Sequence, residues 1–300
     1  MTRADWIAVD WGTSRIRAWA LSESGEVLAR AQSDQGMGQL VSEEFEPVLL
    51  RLVGDWLSNA CTTPVIACGM VGARQGWVEA QYRKTPCSPG EHLTAAPVRD
   101  PRLQVHICAG LKQMSPADVM RGEETQVAGL LTMRPQFEGV LCLPGTHSKW
   151  VCVDHGKVTE FQTFMTGELY ALLAGQSVLR YTVGSEDWDD EAFCRAVEAA
   201  VARPGMIAAR LFALRAEALI ADLGPKTARS RLSGYLIGLE LGASRPHWDA
   251  GRPVAIIGTS LLAHHYSNGL RLFGLTTELL DSETMTLNGL AACYRTLNGH

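Results

Sequence analysis

Apolar residues follow two different spacings along this chain, and these predict strands and helices in turn. Ile7-Ala8-Val9 is a short apolar run typical of a buried strand, and a second run, Pro64–Cys68, ends at Gly69. Between the two runs, apolar side chains recur every three or four positions, which indicates an amphipathic helix. Its apolar positions are Phe45, Val48, Leu49, Leu52, Val53, Trp56 and Leu57. Strand, helix and strand in this order predict an α/β fold.

Helical spacing dominates the second half of the chain. The predicted helices there cover Gly167–Arg180, Asp190–Ala202, Met206–Asp222 and Thr227–Ala243. A short buried strand, Pro253–Ile257, then precedes a helix over Leu261–Asn268, and a last helix covers Ser282–Leu297. We therefore expect the second half to hold a small sheet of its own, surrounded by helices.

Residues 69–116 are rich in Gly, Pro and isolated aromatic residues, and their periodicity is weak until a strand at Leu103–Ala109. A loop-rich stretch of this length inside a compact domain is usually functional or disordered. The aromatic residues favour order, so we expect part of a substrate pocket here.

One short pattern occurs twice, with its copies 133 positions apart, at Ile7–Arg15 and Val140–Lys149. In each copy an apolar strand leads into a Gly-Thr turn with hydroxyls and a cation, followed by a second strand. Glycine allows close approach to a ligand, while amides, hydroxyls and cations bind phosphate oxygens. The candidate nucleotide-binding residues are Gly12, Thr13, Ser14, Arg15, Gly145, Thr146, His147, Ser148 and Lys149. A single Gly-Thr turn would usually just connect strands, and Lys149 could instead be a solvated strand charge.

A third glycine element lies near the end of the chain. Gly258, Thr259 and Ser260 join the strand Pro253–Ile257 to a helix, and such a junction lets a ligand approach the helix N-terminus. We expect these residues to border an adenosine. The neighbouring pair His264-His265 lacks an accompanying carboxylate or cysteine, so we interpret it as ordinary helix residues rather than a metal site.

Composition narrows the class of protein. With 300 residues, 46% apolar and 20% charged, the chain is long enough for two well-packed domains. Its net charge of −5 argues against non-specific nucleic-acid binding and favours a small-molecule partner. No apolar run is long enough to span a membrane, so we expect a cytoplasmic protein. The eight cysteines include no C-x-x-C pair, and Cys68, Cys108, Cys142 and Cys152 are interpreted as buried thiols.

The three glycine elements, in this order, resemble the nucleotide-binding elements of the actin-like ATPase superfamily, which includes sugar kinases. More closely, the chain resembles the 2-dehydro-3-deoxygalactonokinase family over nearly its whole length. The matching segments are Ala8–Ser14, Gln35–Gly38, Cys68–Gly72, Gly76–Glu79, Arg121–Gln126 and Leu143–Trp150. The second copy departs from the superfamily pattern, because Leu143 stands where an Asp is common.

This resemblance implies two actin-like (ribonuclease H-like) α/β domains that flank a cleft for nucleotide and substrate. The first would cover residues 1–136 and the second residues 137–281, with the final helix, 282–300, packing back on the first. The implied reaction is ATP-dependent phosphorylation of the C6 hydroxyl of 2-dehydro-3-deoxy-D-galactonate, with Mg²⁺ as the metal. The resemblance leaves a homodimer open and implies neither a nucleic-acid nor a membrane partner.

The chemistry of phosphoryl transfer suggests roles for three carboxylates. Asp10, at a strand end beside the first Gly-Thr turn, is the candidate Mg²⁺ ligand and one candidate base. Glu123 and Glu124 are the other candidate bases, and because neighbouring helix residues diverge by about 100°, we expect only one to point inward. The macrodipole alone also favours Glu in a first helical turn.

A sugar acid carries a carboxylate, which favours arginine in its pocket. Arg74 and Arg121 are the best placed, and Arg17, on a strand, is a third candidate that could simply face solvent. The remaining candidate substrate-binding residues are Gly36, Met37, Trp77 and Tyr82. The two aromatic residues could wall the pocket, but aromatic residues in a loop are as often part of a local core.

Three other functions use the same fold. A kinase of a different sugar or sugar acid is the most serious, because fold does not decide specificity. An exopolyphosphatase-like hydrolase would favour a long basic groove, which the net charge of −5 does not suggest. A nucleotide switch or actin-like assembly protein would need an extensive self-association surface.

Overall fold

A computed structural model describes residues 3–297 of the chain, apart from the side chain of Ser260. The chain divides into two compact units. The first contains Met1–Phe137, Val153–Glu160 and Ser282–His300, and the second contains Glu138–Cys152 and Phe161–Asp281. The predicted last helix extended to residue 300, and residues 298–300 lie outside the described part.

The first unit begins with seven strands and a helix that build its main sheet and loops. These elements are β1 (Trp6–Trp11), β2 (Ile16–Leu21), β3 (Val27–Ser33), α1 (Phe45–Val53), β4 (Thr63–Cys68), β5 (Arg83–Lys84), β6 (Leu93–Ala95) and β7 (Leu103–Cys108). The hairpin β8 (Leu111–Met114) and β9 (Ala117–Met120) and the helix α2 (Glu123–Met133) follow.

The main sheet of the first unit has the strand order β3-β2-β1-β4-β7-β6. The β1–β2 and β2–β3 pairs are antiparallel hairpins, whereas β1, β4 and β7 run parallel. β1 and β4 are central strands buried on both faces, which explains why they are continuous apolar runs. Their carboxyl ends therefore meet at one edge of the sheet, where Asp10 and Cys68 are register partners.

The second unit combines one sheet with six helices. Its elements are β10 (Gly139–Leu143), β11 (Ser148–Asp154), β12 (Lys157–Phe164), α3 (Thr166–Gly175), α4 (Asp190–Ala202), α5 (Ile207–Ile220), α6 (Pro225–Ala243), α7 (Arg245–Trp248), β13 (Val254–Gly258), α8 (Ser260–Arg271) and β14 (Glu278–Asp281). The end of β11 and the start of β12, within Val153–Glu160, are grouped with the first unit. The strand order is β12-β11-β10-β13-β14. This order repeats that of β3-β2-β1-β4-β7, so the two copies of the sequence pattern occupy equivalent strands in their own sheets.

The last helix, α9 (Ser282–Leu297), belongs to the first unit and packs on α2. Glycine makes this contact close: a Cβ on Gly129 would lie 1.9 Å from the carbonyl oxygen of Met285, and one on Gly289 would lie 1.9 Å from that of Thr125. At the other end of α9, Tyr294 stacks on Trp6 of β1 with ring centroids 4.6 Å apart.

The predicted α/β class and most predicted helices are confirmed, and the helices Asp190–Ala202 and Ser282–Leu297 have the predicted ends. The helix predicted over Gly167–Arg180 stops at Gly175 and is followed by a separate 3₁₀ turn, Val178–Tyr181. Residues 69–116 contain β5, β6 and β8, short strands whose two to four residues are too few to show a period. Among the described helices, none is long and apolar enough to cross a membrane.

Candidate active site

Asp10 lies at the end of β1, directly opposite Arg17 of β2 in the hairpin register. Arg17 Nη2 donates a hydrogen bond to Asp10 Oδ2 at 2.5 Å. Burial lowers the pKa of Arg17, but the charge of Asp10 and its hydrogen bond, with smaller contributions from Cys68 and Glu283, together outweigh burial and the pKa is raised. Among the described residues, the other carboxylate oxygen, Oδ1, has only a weak contact, with the Cys68 thiol at 3.9 Å. Arg17 therefore does not simply face solvent, and one oxygen of Asp10 is held while the other is available.

Asp10 opens into a cavity of about 180 Å³ in the first unit. Two glycines with positive φ form part of its wall: Gly69 (φ 91°) after β4 and Gly122 (φ 110°) before α2. A Cβ on Gly69 would lie 2.8 Å from the carbonyl oxygen of Trp11, so this position excludes other residues. The cavity is lined by Asp10, Gly12, Cys68, Gly69, Met70, Arg121, Gly122, Glu123, Gln126 and Thr286.

The two adjacent glutamates at the start of α2 have different surroundings. Glu123 lines the cavity, and its Oε2 accepts a hydrogen bond from the Arg121 amide at 3.1 Å. Glu124 is fully buried, and its Oε2 accepts one from the Gly122 amide at 2.7 Å. Burial, together with the charge of Glu123, raises the pKa of Glu124 to about 8. Only Glu123 presents its side chain to the cavity, in line with the expected divergence of neighbouring helix residues.

Arg121 is a buried cation that also lines this cavity. Its Nη2 donates to the carbonyl oxygen of Ala80 at 2.7 Å, and its guanidinium lies over the Tyr82 ring, 4.2 Å from the centroid. Its Nη1 is buried and has no hydrogen-bond partner among the described residues. A buried guanidinium nitrogen in this state is costly. Arg121 therefore places a cation at the wall of the cavity, while Nη1 itself lies in the protein interior, 2.9 Å from where a Cβ on Gly72 would be.

The other predicted substrate residues are not gathered at this cavity. The Tyr82 ring packs against the Arg121 guanidinium, whereas Arg74 is exposed and lines no described cavity. Trp77 is buried against Trp11 and Phe45, and it lines a separate groove of about 880 Å³ beside α1. The prediction that Trp77 walls the same pocket as Arg121 is therefore not supported, because aromatic packing holds its ring in the core.

The first Gly-Thr turn presents polar side chains to solvent. Thr13, Ser14 and Arg15 are exposed, and Arg15 Nε contacts Asp34 Oδ1 at 3.2 Å. Gly36 and Met37 pack against this turn and do not line the cavity of the first unit. The Met37 amide donates to the Gly12 carbonyl at 3.0 Å, and a Cβ on Gly36 would lie 2.3 Å from the carbonyl oxygen of Thr13.

The second Gly-Thr turn differs from the first in which side chains it exposes. Thr146 and His147 are exposed, and His147 Nε2 lies 2.6 Å from Glu168 Oε2. Ser148 is fully buried, with its hydroxyl 2.8 Å from that of Tyr266. Lys149 is also buried, so its interpretation as a solvated strand charge is wrong. Its Nζ donates to the His147 carbonyl at 3.5 Å.

This turn borders a cavity of about 390 Å³ in the second unit. Gly145 has open space where its Cβ would be, so nothing in the described protein requires glycine there. Gly258 is buried at the end of β13, and Thr259 lines the cavity; the side chain of Ser260 is outside the described part. The cavity is lined by Gly145, Thr146, Thr166, Gly167, Tyr170, Trp188, Arg229, Ser233, Leu236, Ile237, Thr259, Leu261, Leu262, His265 and Tyr266.

Sequence reasoning missed most members of this wall, among them His265, Trp188 and Arg229. The His265 ring stacks on Trp188 with centroids 3.9 Å apart, and burial lowers the pKa of His265, which keeps the imidazole neutral. Arg229 Nε donates to the Tyr170 hydroxyl at 3.2 Å. His265 is buried, whereas the neighbouring His264 is exposed, and no pattern in the sequence indicates this difference.

A profile of the 2-keto-3-deoxy-galactonokinase family matches residues 10–293. The chain is 36% identical to a probable 2-dehydro-3-deoxygalactonokinase of Rhizobium meliloti, over 99% of this chain and 98% of the relative. It is 31% identical to the 2-dehydro-3-deoxygalactonokinase of Escherichia coli, over 96% of each chain.

Solved structures agree with these relatives. A crystal structure from Sinorhizobium meliloti, provisionally described as a 2-dehydro-3-deoxygalactonokinase, is 36% identical and superposes with a TM-score of 0.90, covering 97% of this chain and 99% of that one. The gluconate kinase of Lactobacillus acidophilus, 9% identical, has a TM-score of 0.52 over 98% of this chain and 90% of its own, which shows a shared fold alone. The predicted actin-like sugar-kinase fold is thus confirmed, and the chain belongs to the 2-keto-3-deoxy-galactonokinase family of phosphotransferases.

Proposed function

We propose that this protein transfers the γ-phosphate of ATP to the C6 hydroxyl of 2-dehydro-3-deoxy-D-galactonate. The observation that carries the proposal is the cavity of the first unit, whose wall brings together Asp10, Glu123 and the buried cation Arg121. Family membership supplies the substrate's identity, because the relatives bear the name of that kinase.

The cavity suits a small anionic acceptor. Its volume of about 180 Å³ is that of roughly six water molecules, which is small for a nucleotide. Arg121 would bind the substrate carboxylate or its neighbouring keto oxygen, since a guanidinium binds planar oxygen pairs well. Ala80 and Tyr82 already hold the rest of this side chain, so little orientation is lost on binding.

Glu123 is our candidate for the group that accepts the proton of the attacking hydroxyl. Glu123 lines the cavity. By contrast, Arg17 binds one oxygen of Asp10, and Glu124 is fully buried in the core. A carboxylate within hydrogen-bond reach of the hydroxyl can take its proton as the bond to phosphorus forms.

The residues around Asp10 fit a magnesium ion. Mg²⁺ prefers hard oxygen ligands and keeps several of its waters, and Asp10 Oδ1, with Glu123 nearby on the same wall, offers carboxylate oxygen at an open cavity. When bound with ATP, the metal would supply charge neutralisation at the phosphates. Asp10 would hold it through water, while Arg17 fixes the orientation of the carboxylate.

The cavity of the second unit is our candidate nucleotide site. Its wall joins the second Gly-Thr turn, at Gly145 and Thr146, to Thr259 at the strand-to-helix junction. The stacked rings of Trp188 and His265 and the side chains of Leu236 and Ile237 supply the flat and apolar surfaces that suit a nucleobase. Phosphate groups would then extend toward the turn.

A coupled assay of ADP release tests the proposal. The purified protein is incubated with ATP and Mg²⁺ and with one of several acceptors: 2-dehydro-3-deoxy-D-galactonate, other 2-keto-3-deoxy sugar acids, plain hexoses, or none. Asp10→Asn is assayed beside it. Turnover confined to 2-dehydro-3-deoxy-D-galactonate and lost in the variant supports the proposal.

The other outcomes overturn different parts of it. Equal ADP release without an acceptor identifies a hydrolase or a nucleotide switch. Activity confined to another sugar or sugar acid retains the kinase and replaces the substrate.

A further inference from the structure

The buried carboxylate of Glu240, in the second unit, accepts hydrogen bonds from residues on three other elements. Glu240, on α6, is 1% exposed. Its Oε1 accepts from Trp150 Nε1 of β11 at 2.9 Å, and its Oε2 accepts from the hydroxyl of Tyr266 on α8 at 2.7 Å and from that of Thr166 at the start of α3.

Two of these donors are also walls of the candidate nucleotide cavity. Thr166 and Tyr266 both line it, whereas Glu240 and Trp150 do not. The Tyr266 hydroxyl is in turn 2.8 Å from that of Ser148, the residue that follows the second Gly-Thr turn. Tyr266 donates its hydroxyl proton to Glu240, so Ser148 is the donor in its contact with Tyr266. A chain of hydrogen bonds therefore connects the second Gly-Thr turn to the Glu240 carboxylate.

The first turn of α3 connects the same network to the Gly-Thr turn from the other side. The Glu168 amide donates to the Thr146 carbonyl at 2.9 Å, and a Cβ on Gly167 would lie 2.2 Å from the carbonyl oxygen of Gly145. The backbone of α3 therefore rests directly on the turn. A shift of Thr166 would move the surface against which Gly145 and Thr146 are packed.

We propose that Glu240 is a positioning residue for ATP: its carboxylate holds Thr166 and Tyr266, and through them the second Gly-Thr turn, in the arrangement that binds the nucleotide. The inference rests on the proposed function, because it takes the cavity of the second unit as the ATP site. Glu240 itself does not line the cavity and acts only through the side chains that it holds.

The donors explain why a carboxylate occupies this position. An ionised carboxylate is an acceptor only, and it can satisfy several N–H and O–H groups at once. An apolar residue at position 240 would leave the indole N–H of Trp150 and two hydroxyls buried without partners, at a cost for each of them. Burial raises the pKa of Glu240, while the hydrogen bonds from Thr166, Tyr266 and Trp150 oppose this rise.

The test combines direct nucleotide binding with steady-state kinetics. Glu240→Gln keeps the size of the side chain but replaces one acceptor oxygen by an amide that donates. Trp150→Phe removes the donor farthest from the cavity wall. Ser244→Ala is the matched control, since Ser244 is fully buried in the same unit and bonds Trp248, away from the cavity. ATP affinity is measured by calorimetry on the intact protein, KM for each substrate by the ADP-release assay, and Tm by thermal unfolding.

We expect Glu240→Gln to weaken ATP binding by about tenfold and Trp150→Phe by a smaller factor, with the KM for the sugar acid changed less than twofold. Ser244→Ala should lower the Tm and leave ATP affinity unchanged. If Glu240→Gln lowers the Tm as the control does and binds ATP as the wild type does, Glu240 is a structural anchor and the inference fails. If the wild type itself does not bind ATP, it is the proposed function that fails.

Discussion

Asp10 and Arg17 face each other across the β1–β2 hairpin, and their side chains form an ion pair with 2.5 Å between Oδ2 and Nη2. The pair leaves Asp10 Oδ1 at the cavity as the available oxygen. Arg17 thus determines which face of the carboxylate a metal or its waters can reach.

Replacing Arg17 should therefore impair turnover more than substrate binding. We expect Arg17→Gln to lower kcat by about tenfold, the cost of roughly 1.4 kcal/mol in transition-state stabilisation, while the KM for the sugar acid stays within twofold. Arg17→Lys should recover part of the loss, because it restores the charge but not the geometry of the guanidinium. Arg30→Gln, which alters an exposed arginine on β3, is the control. An unchanged kcat in Arg17→Gln would contradict a positioning role.

The two glutamates of α2 should differ sharply in their effect on catalysis. Glu123→Gln removes the proposed proton acceptor at the cavity, and we expect kcat to fall by about 10²-fold or more. Glu124→Gln preserves an acceptor for the Gly122 amide and should change kcat by only a few-fold. The measurement is kcat at saturating ATP and sugar acid. An equal loss of kcat in both variants would contradict different roles for Glu123 and Glu124.

Glu124 should also make stability depend on pH. Its folded pKa of about 8 lies above the usual value of about 4.3 for glutamate in an unfolded chain. Between these values the unfolded state releases the proton that the folded state keeps, so stability declines as pH rises from about 4.5 to 8 and levels off above. Glu124→Gln removes this dependence. We expect its free energy of unfolding, measured by urea denaturation, to exceed that of the wild type by a margin that grows between pH 5 and 8; a constant difference would argue against a protonated Glu124.

Arg121 should control affinity for the acid group of the acceptor. A lysine at position 121 cannot both donate to the Ala80 carbonyl and reach the cavity, so we expect Arg121→Lys to raise the KM for the sugar acid by about tenfold to a hundredfold. The KM for ATP should not change. Arg83→Lys, on exposed β5, serves as the control. A rise in both KM values would indicate a general disturbance of the first unit instead.

Glycine at position 145 should matter for the ligand rather than for the fold. A methyl group there meets no protein atom within 4 Å, so we expect Gly145→Ala to keep the Tm of the wild type and to raise the KM for ATP at least about tenfold, as a methyl group would narrow the phosphate approach. Gly175→Ala, also in open space but away from the cavity, should change neither quantity. Gly167→Ala should lower the Tm, since its Cβ would lie 2.2 Å from the Gly145 carbonyl oxygen. Normal ATP kinetics in Gly145→Ala would place the nucleotide elsewhere.

Much of the architecture could be predicted from the sequence because the signals are local. The repeated strand and Gly-Thr turn predicted a similar hairpin in each half of the chain, and the structure places the two hairpins in sheets of the same strand order. Even the pairing of Asp10 with Arg17 was within reach: the Gly12 amide bonds the Arg15 carbonyl, and this short turn places residues 10 and 17 opposite each other. The predicted roles of these residues, and of the other candidate site residues, stay predictions until the variants are measured.

What the sequence by itself determined is therefore the α/β class, the position of most helices, the two Gly-Thr hairpins and the resemblance to a kinase family. Only the tertiary structure decided which glutamate reaches the cavity, that Trp77 packs in the core, that His265 lines a wall and that Glu240 collects its donors. Each of these depends on segments far apart in the chain: Glu240 meets residues 150, 166 and 266, and Arg121 is held by residues 80 and 82. Periodicity records which face of an element is buried, whereas the partner of a buried polar group is set by how distant elements pack against one another.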